Sequence, residues 1–312
     1  MKTLRNTTIA ALIAATATLA CNRISHTDST PALPTVHAHR GGAALMPENT
    51  IEAMQNALSI GVPVLELDLH VTADSQVVVS HDPWLNPIKI LSPDGMPLDT
   101  AASSQIAIFS LPYDSLRLYD AGSLHNPAYP RRRDVKCHIP LASALIDSAE
   151  VTAQRLGRPA PGYNIEIKSW PTKDGILSPD YKTFADLCMS VLLSKNLGDR
   201  LIVQCFDVRT LQYLHEKYPD TRLSYLVEKD GRDYQSQMTD LGFTPYAYSP
   251  ESCLLTDSVL ASVHQAGMIA VPWTVDDKDE VARLTRMGAD VIITNAPDSV
   301  MAWVREVATE KK

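Results

Sequence analysis

The chain has 312 residues, of which 45% are hydrophobic and 21% are charged. This composition excludes disordered, collagen-like and multi-span membrane proteins, and the length fits one large or two ordinary domains. The 36 acidic and 28 basic residues give a formal net charge of −8. That balance argues against a protein that coats nucleic acid, because the displacement of counterions needs a basic excess.

The N-terminal residues are typical of an export signal rather than of a folded element. Lys2 and Arg5 precede the uncharged stretch 7–20, which is too short to span a bilayer comfortably and is followed at once by polar residues. We therefore expect residues 1–20 to be a signal peptide and residues 21–34 to be a tether.

A candidate lipid attachment site ends this signal. Residues 18–21, Thr-Leu-Ala-Cys, resemble the box in which bacterial lipoproteins are cleaved and acylated, with Thr18 where Leu is usual. On this interpretation Cys21 is lipidated and the protein is exported to the bacterial periplasm or outer membrane. The lipid anchor would then be its contact with the membrane. Plain secretion is the alternative.

From Thr35 onward, short β-rich runs alternate with helical segments, which is typical of repeated βαβ units. The runs that we predict as barrel strands are Val36–Arg40, Val64–Leu69, Asn164–Lys168, Leu201–Phe206, Leu223–Val227, Tyr246–Ser249, Ile269–Thr274 and Val291–Thr294. Two helical patterns stop at Gly61 and Gly288, and glycine suits a helix C-terminus. The pattern predicts an α/β barrel across residues 35–305.

Residues 83–140 interrupt this alternation. They are proline-rich, show no sustained hydrophobic period and contain Arg131, Arg132 and Arg133 in succession. So long an irregular stretch inside a compact domain is typical of a functional insertion, and we place it at one end of the barrel after the second strand. We expect the arginine run to be a solvated face.

Two acidic residues share one face of the second predicted strand. Strict alternation over Val64–Leu69 places Glu66 and Asp68 on one side and apolar side chains on the other. In a barrel covered by helices, the apolar side chains face the helices and the carboxylates face the barrel mouth. Two such carboxylates without a cation are costly, so the pattern indicates a metal or a buried Lys/Arg pair.

The predicted strand Asn164–Lys168 adds a third carboxylate. Its alternation places Asn164, Glu166 and Lys168 on one face. Carboxylates that converge from two strands suit a hard cation such as Ca²⁺ or Mg²⁺. Zinc is less suited, because no His or Cys lies beside them.

Two histidines lie where β-rich runs pass into loops, which in a barrel is the catalytic face. His39 is followed by Arg40, and His81 closes the run that begins at Val77. A histidine pair beside a divalent cation and an arginine has the parts for general acid and base catalysis on a phosphodiester. We expect the other histidines, including His37 and His70, to be structural.

These residues belong to a set of short motifs that occur in a fixed order. The motifs are His39-Arg40-Gly41, Pro47-Glu48-Asn49-Thr50, Glu66-Leu67-Asp68, His81-Asp82, Asn164-Ile165-Glu166-Ile167-Lys168, Trp273-Thr274-Val275 and the closing segment 288–297. In order and spacing they resemble the glycerophosphodiester phosphodiesterase family, over residues 35–304. The resemblance implies a (β/α)8 barrel that binds one divalent cation and releases an alcohol and sn-glycerol 3-phosphate from glycerophosphodiesters.

The resemblance also implies roles for individual residues. The metal ligands are matched by Glu66, Asp68 and Glu166. The acid/base pair is matched by His39 and His81. The phosphate contacts are matched by Arg40 and Lys168, and a wall near the glycerol by Trp273. The run before His81 is then a hairpin return above the second strand, and the insertion caps the site.

Two departures from the family pattern bear on substrate choice. Pro83–Pro87 stands where the family often has Arg-Thr-Thr after the His-Asp pair, and Cys205-Phe206-Asp207 stands where Ser-Phe-Asp is common. Glu48 is expected either to hydrogen-bond a catalytic group or to cap a helix. The remaining cysteines, which show no metal-ligand spacing, are expected to be unpaired and buried: Cys137, Cys188, Cys205 and Cys253.

Two other functions are weighed against this one. A related barrel phospholipase acting on intact lipids would need an apolar rim, and the insertion offers only scattered residues: Trp84, Ile88, Ile90 and Leu91. A lipoprotein that binds ligands at the envelope without catalysis is disfavoured, because both histidines and all three carboxylates are retained.

Overall fold

The computed structural model describes residues 33–103 and 105–310. The expected signal peptide, Cys21 and all but the last two residues of the expected tether lie outside the described residues. The strands are β1 Thr35–Ala38, β2 Val64–Val71, β3 Val77–Val79, β4 Gly162–Ile167, β5 Leu201–Cys205, β6 Arg222–Val227, β7 Ala247–Pro250, β8 Ile269–Ala270 and β9 Val291–Thr294. The helices are α1 Ile51–Ile60, α2 Thr100–Ser103, α3 Tyr113–Leu116, α4 Ala142–Arg155, α5 Tyr181–Ser194, α6 Val208–Lys217, α7 Tyr234–Leu241, α8 Asp257–Gln265, α9 Lys278–Met287 and α10 Pro297–Glu310.

Parallel strands follow one another around a nearly closed barrel in the order β8-β7-β6-β5-β4-β2-β1-β9. Helices lie between consecutive strands, as parallel connections require. The prediction of a (β/α)8 barrel is therefore confirmed. β3 lies off this path and pairs antiparallel with β2, which confirms that the run before His81 is a hairpin return.

The barrel lacks regular strand pairing between β8 and β9, the two ends of this order. The prediction extended β8 to Thr274, but the regular strand ends at Ala270. Pro272 explains part of the difference, because proline has no N–H to donate to a sheet. Its carbonyl still accepts from the Ile293 N–H (3.0 Å), and the Val275 N–H donates to the Ile293 carbonyl (2.9 Å), so the backbone bridges the gap.

The apolar faces of the strands form the main core against the helices. Leu65, Leu67 and Leu69 of β2 are fully buried, as are Ile165 and Ile167 of β4. Burying such a side chain stabilises the fold by about 1.5–3 kcal/mol. Because side chains alternate along a strand, this packing turns the intervening polar side chains into the barrel.

Helix α1 shows how local sequence sets the element ends. The Thr50 hydroxyl accepts a hydrogen bond from the Ala53 N–H (3.1 Å) and caps the N-terminus. Gly61 ends the helix at φ 93°, a left-handed conformation that glycine adopts without strain. Of the two roles expected for Glu48, helix capping is therefore wrong, because Thr50 is the cap.

Residues 83–140 follow β3, and their described part contains the four-residue helices α2 and α3 and a single turn of 3-10 helix at Ile108–Ser110. They have an apolar cluster of their own, made of Leu85, Ile90, Ile108, Leu116 and Ile139, which packs on Val78 of β3. The insertion is thus anchored to the hairpin above β2 rather than loosely attached.

Two expectations about exposure need correction. Arg132 is not solvated: its side chain is 4% exposed, forms an ion pair with Asp134 (2.6 Å) and donates to the Leu124 carbonyl, so it holds the insertion together. Arg131 is about half exposed, as expected. All the described cysteines are free, but Cys253 is exposed because it lies in a short surface turn after β7.

Among the described residues, we find no helix with both the length and the apolar character needed to cross a membrane.

Candidate active site

A cavity of about 330 Å³ opens at the carboxyl ends of the barrel strands. It is lined by all the predicted site residues of the barrel except Asp68: His39, Arg40, Glu66, His81, Glu166, Lys168 and Trp273. Asp68 is buried and belongs to the carboxylate cluster described next. In (β/α)8 enzymes this end of the barrel carries the chemistry.

Three carboxylates converge from β2 and β4. Carboxylate oxygens of Glu66, Asp68 and Glu166 lie within 4.8 Å of one another. The strand register explains this, because Asp68 pairs directly with Glu166 across the parallel ladder. All three side chains are buried, so their mutual repulsion is poorly screened by water.

The electrostatics of this cluster fit a divalent cation. Burial and the Asp68 charge raise the pKa of Glu66 well above its ordinary value, and burial raises the pKa of Glu166 to about 8. The Oδ1 atom of Asp68 is buried and has no hydrogen-bond partner. A set of carboxylate oxygens with no His or Cys ligand suits Ca²⁺ or Mg²⁺.

Buried basic side chains lie beside the same carboxylates. Lys168 Nζ is 3.0 Å from Glu166 Oε1 and 3.8 Å from Asp68 Oδ1, and Arg40 Nε is 3.5 Å from Asp68 Oδ2. Burial opposes ionisation of Asp68, but Lys168, His81 and Arg40 outweigh it and hold its pKa below the ordinary range. The sequence predicted either a metal or a buried Lys/Arg pair beside these carboxylates. The structure fits both alternatives, because the basic partners are present and the pKa values of Glu66 and Glu166 are still raised.

The turn after β1 aims Arg40 at this cluster. Arg40 has φ 53° and is followed by Gly41 and Gly42, both also left-handed. The strained turn points the Arg40 N–H at Glu66 Oε2, where it donates a hydrogen bond of 2.7 Å. A Cβ on Gly41 would lie 2.7 Å from the Ala53 Cβ, so only glycine fits.

His39 is partly buried and held by an amide. Its Nδ1 lies 2.7 Å from Asn295 Oδ1, and the Asn295 side-chain N–H donates to Asp276 Oδ2 (2.7 Å). Since that amide N–H is committed to Asp276, the amide oxygen accepts, and Nδ1 of His39 carries the proton. Burial and the Arg40 charge lower the pKa of His39 to about 3. The ring is therefore neutral, with a free lone pair on Nε2.

His81 has different surroundings. Its Nδ1 faces Asp82 Oδ1 at 3.3 Å, and its side chain is 31% exposed. Burial opposes ionisation of Asp82, but the contacts with His81 and Lys89 outweigh it and hold its pKa far below the ordinary value. The His81 carbonyl accepts from Nε2 of the buried His70 (3.2 Å).

Of its two expected roles, Glu48 takes that of a hydrogen-bond partner to a site residue. Its carboxylate accepts from Arg40 Nη1 (3.2 and 3.3 Å) and from Lys89 Nζ (2.8 Å). Glu48, His81 and Asp82 together form another group with the geometry for a metal ion. Here the cation between the two carboxylates is the Lys89 ammonium, which also contacts Asp82 (2.7 Å).

One wall of the cavity is aromatic. The rings of Trp273 and Phe206 meet edge to face at 5.5 Å, and the Trp273 indole N–H donates to the Ser249 carbonyl (2.8 Å). Trp170 also lines the cavity. Cys205 does not line it: its thiol donates to the Ile167 carbonyl (3.1 Å) inside the barrel wall.

Several residues that contact the predicted site residues were not predicted from the sequence. Gln204 donates to Glu66 Oε1 (2.8 Å), and Asn49 donates to Asp68 Oδ2 (2.8 Å), so each holds one carboxylate. Asn49 and Asn295 lie within two of the family motifs, so those motifs could have indicated them. Gln204 and Lys89 carried no such signal, because a single polar residue on a strand or in an irregular loop has no pattern of its own.

Comparisons with known proteins find similarity to one family. A model of the glycerophosphoryl diester phosphodiesterase family matches residues 39–299. A glycerophosphodiester phosphodiesterase of Bacillus subtilis (strain 168) is 27% identical over 267 residues, which cover 84% of this chain and 83% of that protein.

Two crystal structures share the fold. One, from Silicibacter pomeroyi, aligns with a TM-score of 0.79 and 24% identity over 88% of this chain and 94% of its own. The other is an Oleispira antarctica phosphodiesterase in complex with the product sn-glycerol 3-phosphate, with a TM-score of 0.66 and 20% identity over 88% of this chain and 97% of its own.

Proposed function

Because the chain belongs to the glycerophosphoryl diester phosphodiesterase family, we propose that it hydrolyses small glycerophosphodiesters to an alcohol and sn-glycerol 3-phosphate, with one divalent cation, Ca²⁺ or Mg²⁺. One observation carries the proposal: a single cavity holds a neutral histidine, a carboxylate-paired histidine, a carboxylate cluster and two basic side chains. These are the parts that a phosphodiester needs.

Glu66, Asp68 and Glu166 would hold the cation. When bound, it would neutralise charge on the phosphate and act as a Lewis acid. Arg40 and Lys168 line the same cavity and would bind the non-bridging phosphate oxygens, for which guanidinium and ammonium groups are suited. Trp273 and Phe206 would pack against the carbon chain of the glycerol.

His39 is the proposed base. Its neutral ring can take a proton at Nε2 from the glycerol 2-hydroxyl as that oxygen attacks phosphorus. The neighbouring hydroxyl is favoured over water as the nucleophile because it is already tethered to the phosphate. Asn295 and Asp276 keep the other ring nitrogen protonated, so the lone pair stays on the cavity side.

His81 is the proposed acid. Beside Asp82 it can hold a proton and give it to the oxygen of the leaving alcohol as the phosphorus–oxygen bond breaks. The products of this step are the free alcohol and a cyclic glycerol phosphate. Water then opens the ring with the roles exchanged: His81 takes a proton from water, and His39 returns one to the glycerol oxygen.

An assay on the purified mature protein tests the proposal. Glycerophosphocholine, glycerophosphoethanolamine and glycerophosphoinositol are compared with intact phospholipid, each with and without a chelator. We expect cation-dependent release of sn-glycerol 3-phosphate from the soluble diesters. A 2-deoxyglycerol analogue should not react. Normal turnover of that analogue would exclude the cyclic route and favour direct attack by water.

Action on intact phospholipids is the competing activity in this assay. In the described part of the insertion, Leu85 and Ile90 are buried in its own cluster, and the strongly exposed large apolar side chains are the scattered Ile88, Met96 and Leu118, which favours the soluble diesters as substrates. Faster hydrolysis of intact phospholipid than of every soluble diester would make the phospholipase the better description.

We also propose that the protein is exported and anchored through acylated Cys21. Support comes from the sequence of residues 1–21, which lies outside the described residues. A mature N-terminus at Cys21 that carries a lipid, seen by mass spectrometry of the membrane fraction, is the expected result. Soluble mature protein that begins at another residue would reject lipidation without affecting the enzymatic proposal.

A further inference from the structure

Lys89 of the insertion lies against the catalytic end of the barrel, just after the stretch where the sequence departs from the family motif. Its Nζ is 2.7 Å from Asp82 Oδ2 and 2.8 Å from Glu48 Oε1. The side chains of Lys89, Asp82 and Glu48 are only 19%, 17% and 14% exposed. Water screens these charges weakly, so the ammonium is what allows the two carboxylates to face the same point.

Each carboxylate continues to a proposed catalytic group. Glu48 holds Arg40 through hydrogen bonds of 3.2 and 3.3 Å, and Asp82 lies 3.3 Å from His81. The series of contacts is therefore Arg40–Glu48–Lys89–Asp82–His81, in which basic and acidic side chains alternate. Lys89 is the central residue of this series, and it is the one that belongs to the insertion.

The backbone around Lys89 is well supported. The N–H groups of Lys89 and Ile90 both donate to the Asn86 carbonyl (3.0 Å each), and Ile90 is buried in the apolar cluster of the insertion. The Asn86 side chain also donates to Asp82 Oδ2 (2.9 Å). The ammonium is thus delivered from a fixed turn rather than from a freely moving loop.

We infer that Lys89 is a positioning residue that couples the phosphate-binding Arg40 to the proton-donating His81. The inference rests on the proposed function. Without the ammonium, the Glu48 and Asp82 carboxylates repel, so Asp82 turns from His81 and Glu48 reorients Arg40. The insertion is on this account part of the catalytic apparatus.

The test compares two esters of sn-glycerol 3-phosphate in the variant Lys89→Met. The choline ester needs a proton on its leaving oxygen, whereas the p-nitrophenyl ester releases a stable phenolate without one. We expect the ratio of kcat values, choline ester to nitrophenyl ester, to fall roughly tenfold, a part of the 10²–10⁴ that a positioned acid contributes. KM should rise for both esters alike, because Arg40 serves both.

Two further variants control the test. Lys89→Arg should restore most of the ratio, because it keeps a cation between the carboxylates. Lys195→Met should leave it unchanged: Lys195 is 16% exposed and contacts Asp147 at 2.7 Å, a similar ion pair that is not part of the cavity. Since the ratio is measured on one preparation, any loss of folded protein cancels.

The outcomes separate the inference from the proposed function. Wild-type protein inactive on both esters contradicts the proposed function and, with it, this role of Lys89. Active wild type with an unchanged kcat ratio in Lys89→Met contradicts the positioning role alone. Equal loss of kcat on both esters, without rescue by Lys89→Arg, would also overturn it and leave Lys89 a purely structural residue.

Discussion

The two histidines of the cavity have opposite surroundings, and this difference suggests their roles. Both are partly exposed, but His39 contacts the Asn295 amide, whereas His81 faces the Asp82 carboxylate. An imidazole whose Nδ1 donates to an amide oxygen offers its other nitrogen as a proton acceptor, and an imidazole that faces a carboxylate is suited to the role of donor.

We predict that His39→Ala and His81→Ala each lower turnover of glycerophosphocholine by roughly 10²–10⁴, the contribution of a positioned acid or base. Cation binding should persist, because neither histidine belongs to the carboxylate cluster. Steady-state kinetics and calorimetric cation titration measure the two properties. His138→Ala, at an exposed histidine, is the control. Loss of cation binding together with activity would contradict the assigned roles.

Two neighbouring strands, β2 and β4, assemble the carboxylate cluster. Each strand alternates between leucine or isoleucine that faces the helices and polar side chains that face the barrel. The parallel register then brings Asp68 beside Glu166. Side chains alternate along a strand with a period of two. The same alternation therefore packs the apolar side chains against the helices and turns the carboxylates into the barrel.

The cation site should be visible as a change in stability. We predict that a divalent cation at a hundredfold excess over its Kd raises the free energy of unfolding by about 2.7 kcal/mol. Thermal unfolding with cation and with chelator measures the effect as a shift in Tm. Asp68→Asn should abolish the shift, whereas Asp147→Asn, at an exposed carboxylate, should retain it. An identical Tm under both conditions in the wild type would exclude the site.

Among the described residues, three histidines of the barrel have pKa values below the ordinary range and are neutral near pH 7. Burial lowers the pKa of His37 and of His39 to about 3 and that of His70 to about 4, against an ordinary value of 6.5. In the unfolded chain these rings take up protons below pH 6.5, while the folded chain does not. The stability that they contribute is therefore complete above pH 6.5 and is lost as the pH falls.

We predict from this that His37→Gln weakens the acid sensitivity of the fold. Between pH 6.5 and pH 5, the wild type should lose roughly 1.6 kcal/mol of unfolding free energy relative to the variant, because the slope rises from half of 1.4 kcal/mol per pH unit at pH 6.5 to nearly the full value at pH 5. Denaturant unfolding at several pH values gives the difference. His138→Gln, which removes an exposed histidine, should follow the wild type. Parallel stability curves for His37→Gln and wild type would contradict a neutral buried His37.

The sequence by itself determined the barrel and the carboxylate face. The strands around Glu66 and Glu166 carry a period of two, and the helices end at glycines such as Gly61, so local pattern was enough to find them. Local signals fail where structure is irregular, as for Cys253 in its surface turn and Arg132 in the insertion.

Only the tertiary structure decided which groups surround the proposed catalytic residues. The Asn295 amide that fixes the tautomer of His39 lies 256 positions along the chain, and Lys89 lies 41 positions from Glu48. Such contacts have no periodic signature, because they arise where separate loops meet at the barrel end. A carboxylate can be assigned to a face from its strand, but its partner and its pKa depend on distances and burial that exist only in the folded chain.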